Sequence, residues 1–307
     1  GHEGSVWNRY FRLRELKKEK KIFKPTYKIN DETAAGILQE RVSGLLPGAS
    51  DATIARSNGQ FVITEETEGA GVETEGTLKA VRAFLNKKWD GKGGEVKVVE
   101  TVQGPQVRKA DLEPIQDKLG TFSTYCGSGQ SRVTNIENGV RQINGAVLMP
   151  GEEYSAGKAM QPFTADNGYV EGGAFENGEV VMSMAGGICQ VSSTLYNAVI
   201  YAELEVTSRQ PHSMTVNYVN PSRDAVIAGD YKDFRFKNNY DTPIFIEGYI
   251  ENGKVIFNIY GKETRPAGRT IEFVSETIST EERPKKFEED AGAAIGKISE
   301  TSGGYKG

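Results

Sequence analysis

The fold of this chain is decided by the stretch Met184-Ala185-Gly186-Gly187-Ile188-Cys189-Gln190-Val191-Ser192-Ser193-Thr194-Leu195-Tyr196-Asn197-Ala198. Small residues lead into a cysteine, and apolar residues then recur at three- and four-residue steps, as on one face of a helix. Because glycine permits a tight turn, the pattern predicts that Cys189 lies at a helix N-terminus. The free N–H groups and the dipole there favour a thiolate, although a small buried cysteine would also pack well. These residues alone leave both interpretations open.

The composition excludes several classes of protein. The 307 residues allow two or three domains, and 37% hydrophobic with 26% charged residues is ordinary for a globular chain. A net charge of −5 gives no general basic face, so we expect no nucleic-acid partner. The only cysteines and histidines are Cys126, Cys189, His2 and His212, too few for a cysteine-rich zinc site. We therefore expect no metal and no cofactor, while a Cys126–Cys189 disulfide stays open.

Shifts in composition divide the chain into four segments. Residues 1–25 form a charged, aromatic segment that either contacts an anionic surface near a membrane or is a solvated helix. Residues 26–115 are expected to be a small α+β domain for binding or scaffolding, because they contain neither His nor Cys. Residues 116–262 form a second domain, and residues 263–307 form a tail.

The second domain is predicted to be α+β, with the Cys-bearing helix packed on a mostly antiparallel sheet. A helix is expected from Thr134 or Asn135 to about Ile143. Strands are expected after the Cys189 helix, including one at 214–219, and Asn252-Gly253 predicts a hairpin turn between two of them.

His212 and Asp224 can complete a cysteine-based site. A cysteine nucleophile needs an imidazole within hydrogen-bond reach, and His212 follows Cys189 by 212 − 189 = 23 residues, enough for a helix and a return. Asp224 is the expected residue that orients the imidazole, with Asn217 as an alternative. The predicted catalytic set is therefore Cys189, His212 and Asp224.

Substrate is expected to contact residues that flank this set. Glycines can form the floor of a groove, backbone N–H groups near the cysteine can form an oxyanion hole, hydroxyls lie beside the thiol, and arginines can hold a carboxylate in a fork. For each arginine alone, a structural salt bridge is the alternative. The predicted binding residues are Gly186, Gly187, Gln190, Ser192, Ser193, Arg209 and Arg223.

Several motifs resemble the VanW family in consistent order over about residues 121–262. They are the Met184–Ala198 stretch, Phe122-Ser123-Thr124, Asn144-Gly145, Pro150-Gly151-Glu152, Pro211-His212-Ser213, Arg223-Asp224-Ala225 and Phe236-Lys237-Asn238-Asn239. Residues 28–112 resemble the peptidoglycan-binding type of domain that commonly precedes a VanW domain. The tail from Arg269 resembles the start of a small extracellular β module of the G-five type, truncated here. Cys126 has no counterpart in the family pattern, and Ala185 stands where a third glycine is common.

The resemblance implies an exported, wall-associated protein of a Gram-positive bacterium, with a membrane anchor upstream of residue 1. It implies peptidoglycan stem peptides and glycan as partners, and we expect a monomer. VanW domains have been linked to L,D-transpeptidation, so the resemblance implies Cys189 as nucleophile and His212 as its matching histidine. Two other functions stay open: a Cys/His amidase or endopeptidase that cuts wall peptides, and a non-catalytic wall-binding protein in which Cys189 is structural.

Overall fold

The computed structural model describes residues 4–18, 26–176, 179–229, 231–279, 287, 289, 291–292 and 294–299. The chain divides into two units. The first comprises Gly1–Asp51 and Glu66–Gln106, and the second comprises Ala52–Glu65 and Val107–Gly307. Residues 280–286 of the predicted tail lie outside the described residues. No helix in the described ranges is both long enough and apolar enough to cross a bilayer.

Helices and strands are interspersed along the chain. The helices are α1 (Val6–Lys18), α2 (Asp31–Ile37), α3 (Thr74–Lys87), α4 (Lys109–Leu112), α5 (Gln130–Ile143), α6 (Ala156–Met160) and α7 (Cys189–Tyr201). The strands are β1 (Thr53–Ser57), β2 (Gln60–Thr64), β3 (Gly69–Val72), β4 (Glu100–Gln103), β5 (Asp117–Tyr125), β6 (Val147–Leu148), β7 (Glu153–Ser155), β8 (Glu171–Glu176), β9 (Glu179–Met184), β10 (Glu205–Ser208), β11 (Arg235–Lys237), β12 (Ile244–Glu251) and β13 (Lys254–Gly261).

The first unit is small, and its described residues contain one pair of strands. Strands β3 and β4 pair antiparallel. Helix α2 begins after Asn30, whose side-chain oxygen accepts a hydrogen bond from the Thr33 N–H and so caps the helix. Helix α3 contacts α2 and forms an ion pair between Arg82 and Asp31. These contacts give this unit an α+β arrangement.

The second unit is built around a four-stranded antiparallel sheet in the order β5-β13-β12-β6. Helix α7 packs on β5 and β13, and α5 packs on β12. The fully buried Val191, Leu195 and Ala198 on α7 join Phe257 and Ile259 of the sheet in one hydrophobic core. The predicted α+β class, with a Cys-bearing helix on an antiparallel sheet, is confirmed. The Asn252-Gly253 hairpin is also confirmed, because both residues have positive φ between β12 and β13.

Smaller sheets surround this core. Strands β10, β11 and β7 form a three-stranded antiparallel sheet, and β8 pairs with β9. The hairpin β1–β2 groups with the second unit, where Phe61 meets Phe245 and Tyr260 edge-on at ring-centroid distances of 5.6 and 5.1 Å. The domain boundary between residues 115 and 116 stays a prediction.

Two predicted elements differ from the structure. Helix α5 begins at Gln130, four residues before the earlier of its two predicted starts. The strand expected at 214–219 is wrong, because this segment contains no strand. It belongs to a long connection between β10 and β11 that is fixed by side chains of α7 rather than by a neighbouring strand.

Gly120 permits the close approach of α7 to β5. A Cβ atom at this position would overlap the Ala198 carbonyl oxygen and would lie 2.5 Å from the Ala202 backbone nitrogen. Since both are backbone atoms of the helix, a side chain at position 120 would have to displace the whole helix. The N-terminus of that helix carries Cys189.

We expect Gly120→Ala to lower the free energy of unfolding by about 2 kcal/mol, because the added methyl group overpacks the helix against the strand. Urea unfolding followed by circular dichroism measures the change. Ser123→Ala, on the exposed face of the same strand, is the control and should change stability by less than about 0.5 kcal/mol. Equal stabilities of the two variants would contradict the packing argument.

Candidate active site

Cys189 is the first residue of α7, as the sequence predicts. The turn before it contains Ala185 with φ +61° and Gly187 with φ +103°. A Cβ on Gly186 would overlap the Gly172 carbonyl oxygen, so this residue must be glycine for the loop to pack on β8. The buried amide of Asn135 donates to the Gly186 carbonyl oxygen at 3.0 Å. The loop is therefore held rigidly and places the thiol at the positive end of the helix dipole.

His212 and Asp224 meet at the same place. His212 Nδ1 lies 2.6 Å from Asp224 Oδ2, and the His212 backbone N–H donates to the same oxygen at 2.6 Å. The histidine side chain also interacts with Cys189, whose thiol donates to the Ile227 carbonyl oxygen at 3.4 Å. Because Asp224 accepts from Nδ1, Nε2 is the ring nitrogen that exchanges a proton with the thiol. The structure thus brings together all three predicted catalytic residues.

The pKa of His212 is raised from its ordinary value of 6.5 to about 9. Burial of the ring alone would lower this pKa, but hydrogen bonds to Asp224 and Cys189 and the charges of both outweigh burial. The pKa of Asp224 is lowered, because its hydrogen bonds to the His212 ring and backbone outweigh the opposing effect of burial. At neutral pH the pair is therefore an imidazolium held by a carboxylate, which is the partner that a thiolate needs.

Arg209 completes a chain of contacts behind this pair. Its Nη2 donates to Asp224 Oδ1 at 3.0 Å, and its Nε donates to the Asp224 carbonyl oxygen at 2.6 Å. Its guanidinium carbon also lies 5.3 Å from the Tyr196 ring centroid. Each carboxylate oxygen of Asp224 thus has its own partner, Arg209 on one and His212 on the other. These contacts favour a positioning role for Arg209, and its predicted contact with substrate stays a prediction.

Ser192 and Ser193 fix the connection that carries Asp224. Both side chains are fully buried. Ser192 Oγ donates to the Ala225 carbonyl oxygen at 2.7 Å, and Ser193 Oγ accepts from the Ala225 N–H at 2.9 Å. Asn197, one turn further along α7, donates to the Arg223 carbonyl oxygen at 2.7 Å. These contacts dock the segment on the helix, whereas the sequence suggested that the serines contact substrate.

Arg223 is enclosed by aromatic rings. Its guanidinium carbon lies 5.6 Å from the Phe122 ring centroid, 5.3 Å from that of Tyr201 and 5.2 Å from that of Phe273. Its Nε donates to Asn197 Oδ1 at 2.6 Å. These contacts favour packing and positioning over the binding of a substrate carboxylate.

Gln190 is also buried and hydrogen-bonded. Its Nε2 donates to Thr124 Oγ1 at 2.8 Å and to the Tyr125 carbonyl oxygen at 2.5 Å. Its Oε1 accepts from Arg132 Nη2 at 2.7 Å. The Gln190 side chain therefore joins α7 to β5 and positions Arg132 beside the glycine turn.

Arg132 and Tyr218 are two residues of the site that sequence reasoning missed. Arg132 lies in the first turn of α5, and its guanidinium carbon is 5.9 Å from the Tyr218 ring centroid. A cation in the first turn of a helix interacts unfavourably with the helix dipole. This unfavourable placement is the feature of the sequence that could have marked Arg132 as a functional residue. Tyr218 interacts with Ser193 and with the charge of Cys189, but the alternating pattern of residues 214–219 predicts a strand that does not form.

Fold and site together define an α+β protein with a cysteine–histidine–aspartate constellation at the N-terminus of a buried helix. Residues 131–260 match the family model described as "VanW like protein", and residues 1–92 match that described as "Putative peptidoglycan binding domain". The chain is therefore similar to VanW-like proteins over one segment and, before it, to domains of the peptidoglycan-binding type over another.

Two curated relatives are similar to this chain. The uncharacterized protein YoaR of Bacillus subtilis is 35% identical over 188 residues, which cover 59% of this chain and 62% of that protein. The vancomycin B-type resistance protein VanW of Enterococcus faecalis is 23% identical over 159 residues, which cover 48% of this chain and 58% of that protein. The chain thus spans less than two thirds of either relative. No solved structure shows significant similarity to it.

We expect Asp224→Asn to lower the pKa of His212 from about 9 toward its ordinary value of 6.5, because a neutral amide stabilises the imidazolium less than a carboxylate does. Nuclear magnetic resonance of ¹³C-labelled histidine measures the titration. A His2→Gln background leaves one histidine in the spectrum.

Asp166→Asn, at an exposed position away from the three residues in sequence, is the control and should leave the midpoint unchanged. A wild-type midpoint near 6.5, or the same midpoint in Asp224→Asn, would contradict the ion-pair assignment.

Proposed function

We propose that this protein is a peptidoglycan L,D-transpeptidase, which forms 3-3 cross-links through a thioester on Cys189. The observation that carries the proposal is the series Cys189, His212 and Asp224 at the N-terminus of α7, in which His212 is hydrogen-bonded to Asp224 and interacts with Cys189. Such an arrangement supplies a nucleophile, a proton carrier and a residue that orients it. The resemblance to VanW domains supplies the substrate class, since these domains have been linked to L,D-transpeptidation.

The first step is acylation of the enzyme by the donor stem. Cys189 reacts as a thiolate whose proton is already held by His212, and it attacks the carbonyl carbon of the third residue in a tetrapeptide. The tetrahedral oxyanion collapses when His212 Nε2 returns its proton to the leaving nitrogen. The carbon–nitrogen bond breaks, D-alanine departs, and a thioester remains with neutral His212. The raised pKa of His212 supports this step, because the imidazolium is the acid that the leaving amine requires.

The second step transfers the acyl group to an acceptor stem. The side-chain amine of the third residue on another stem attacks the thioester carbonyl. Neutral His212 takes the amine proton, the carbon–sulfur bond breaks, and the thiolate leaves. The initial thiolate–imidazolium pair is thereby restored, and an amide joins the two stems.

The domain matches support a peptidoglycan-related role at the cell wall. We propose that the N-terminal domain holds glycan or stem peptide near the VanW-like domain. We further propose an extracytoplasmic location, with an anchor in the cytoplasmic membrane upstream of residue 1, and a monomeric state.

Two alternative functions remain. One differs from the transpeptidase in the acyl acceptor, and the other involves no catalysis. A hydrolase would use the same three residues, with water as the acceptor. A non-catalytic wall-binding protein would be favoured by a Cys126–Cys189 disulfide, but both cysteines are free thiols in the structure.

We expect Cys189→Ala to abolish 3-3 dimer formation from purified disaccharide-tetrapeptide, because the variant lacks the nucleophile. Chromatography and mass spectrometry of the products measure the dimer. Cys126→Ala, which removes the buried cysteine, should retain activity within about threefold if it folds, since Cys126 has no role in the proposed steps. Melting temperatures establish that both variants are folded.

Undiminished cross-linking by Cys189→Ala would overturn the role of the thiol. Accumulation of cleaved monomer without dimer would replace the transpeptidase with the hydrolase. If the substrate stays unchanged and the protein binds measurably to sacculi, the result would support the non-catalytic wall-binding function instead.

A further inference from the structure

Acyl transfer at Cys189 requires hydrogen-bond donors for the oxyanion, and the backbone of α7 supplies one of them. The Gln190 N–H, which the sequence suggested as a donor, is bonded to the Gly187 carbonyl oxygen at 3.0 Å. The Val191 and Ser192 N–H groups both donate to the Ile188 carbonyl oxygen. Within the described part of the chain, the Cys189 N–H has no hydrogen-bond acceptor. It is therefore available to an oxyanion beside its own thiol.

Tyr218 interacts with the charge of Cys189 and has contacts on two sides. Its hydroxyl interacts with Ser193, whose own hydroxyl donates to the Cys189 carbonyl oxygen at 2.7 Å. Its ring faces the Arg132 guanidinium, whose carbon is 5.9 Å from the ring centroid. Arg132 is itself tied to the Gln190 side chain at 2.7 Å. The phenol is thus positioned by Ser193 on one side and by Arg132 on the other, and each of these residues contacts the backbone or side chain of the turn that contains Cys189.

The phenol of Tyr218 is a hydrogen-bond donor at neutral pH. Burial raises its pKa well above the ordinary value of 10, and the charge of Cys189 raises it further. Arg132 acts in the opposite direction and makes the O–H group more acidic. A protonated phenol polarised by a nearby cation is suited to stabilise negative charge on oxygen.

We propose that Tyr218 is a catalytic residue, whose hydroxyl donates the second hydrogen bond to the oxyanion formed when Cys189 attacks an acyl carbonyl. The first donor is the Cys189 N–H. On attack, the Tyr218 hydroxyl exchanges its resting contact with Ser193 for the oxyanion, and no proton is transferred. The inference rests on the proposed acyl chemistry of Cys189, but it does not depend on whether the acceptor is an amine or water.

Two reagents separate stabilisation of an oxyanion from activation of the thiol. Acetylation of Cys189 by p-nitrophenyl acetate passes through a tetrahedral oxyanion, whereas alkylation by iodoacetamide displaces iodide directly and forms none. Intact-mass spectrometry follows both reactions on the full chain, with Cys189→Ala giving the background. Tyr231→Phe, which removes an exposed phenol, is the matched control.

We expect Tyr218→Phe to slow acetylation by about 10²-fold, the usual effect of removing one oxyanion donor. Alkylation should stay within about twofold of wild type, and Tyr231→Phe should match wild type in both reactions. Phenylalanine keeps the ring over Arg132, and the melting temperature tests folding. If that variant fails to fold, 3-fluorotyrosine at position 218 keeps ring and donor while making the phenol more acidic, and acetylation should then be at least as fast as wild type.

Equal acetylation rates for wild type and Tyr218→Phe would overturn the inference. A parallel fall in both reactions would also overturn it, because Tyr218 would then act on the thiol. Slower acetylation by the fluorinated protein would do the same. Since neither reagent contains peptidoglycan, absence of 3-3 dimers would count against the proposed transpeptidase and leave the Tyr218 result unaffected.

Discussion

The carboxylate of Asp224 is the interaction on which the site depends. Its two oxygens are divided between Arg209 and His212, so an almost buried charge is fully paired. An unpaired carboxylate at this depth would be costly, and each of its partners is therefore fixed by electrostatics as well as by packing. Through His212 this one charge also determines which ring nitrogen faces Cys189. The orientation of the His212 ring toward Cys189 thus follows from the hydrogen bond that neutralises one oxygen of Asp224.

Helix α7 is unusual because its buried face is as much polar as apolar. Val191, Leu195 and Ala198 pack on the sheet, while Ser192, Ser193 and Asn197 are buried with their hydrogen bonds directed to the 223–225 segment or to the helix itself. Buried polar groups need partners, and here the partners are backbone atoms of a segment that has no strand neighbour. The polar face of α7 therefore supplies this connection with the hydrogen bonds to its backbone that a neighbouring strand would otherwise supply.

The sequence predicted the centre of the site better than its surroundings. Cys189 and its helix follow from hydrophobic periodicity, and His212 follows from the scarcity of histidine. Arg132 was missed because α5 begins after Gly129, which has φ +146° and no side chain to cap the helix, so the usual start signal is absent. Tyr218 was missed because alternation suggested a strand, whereas tertiary contacts hold this segment as an irregular loop. Contact of Ser192 and Arg223 with substrate stays a prediction, whereas their packing contacts could be seen only in the folded chain.

Because His212 and Asp224 lie on one connection between β10 and β11, the site has a cooperative character. Any fluctuation that lifts this connection from α7 removes the proton carrier and its orienting carboxylate from the thiol together. Partly assembled states, such as a thiol with an unoriented imidazole, are therefore disfavoured. Whether Cys189 has its proton partner therefore depends on the docking of a single loop, which the buried hydroxyls of Ser192 and Ser193 hold through hydrogen bonds to Ala225.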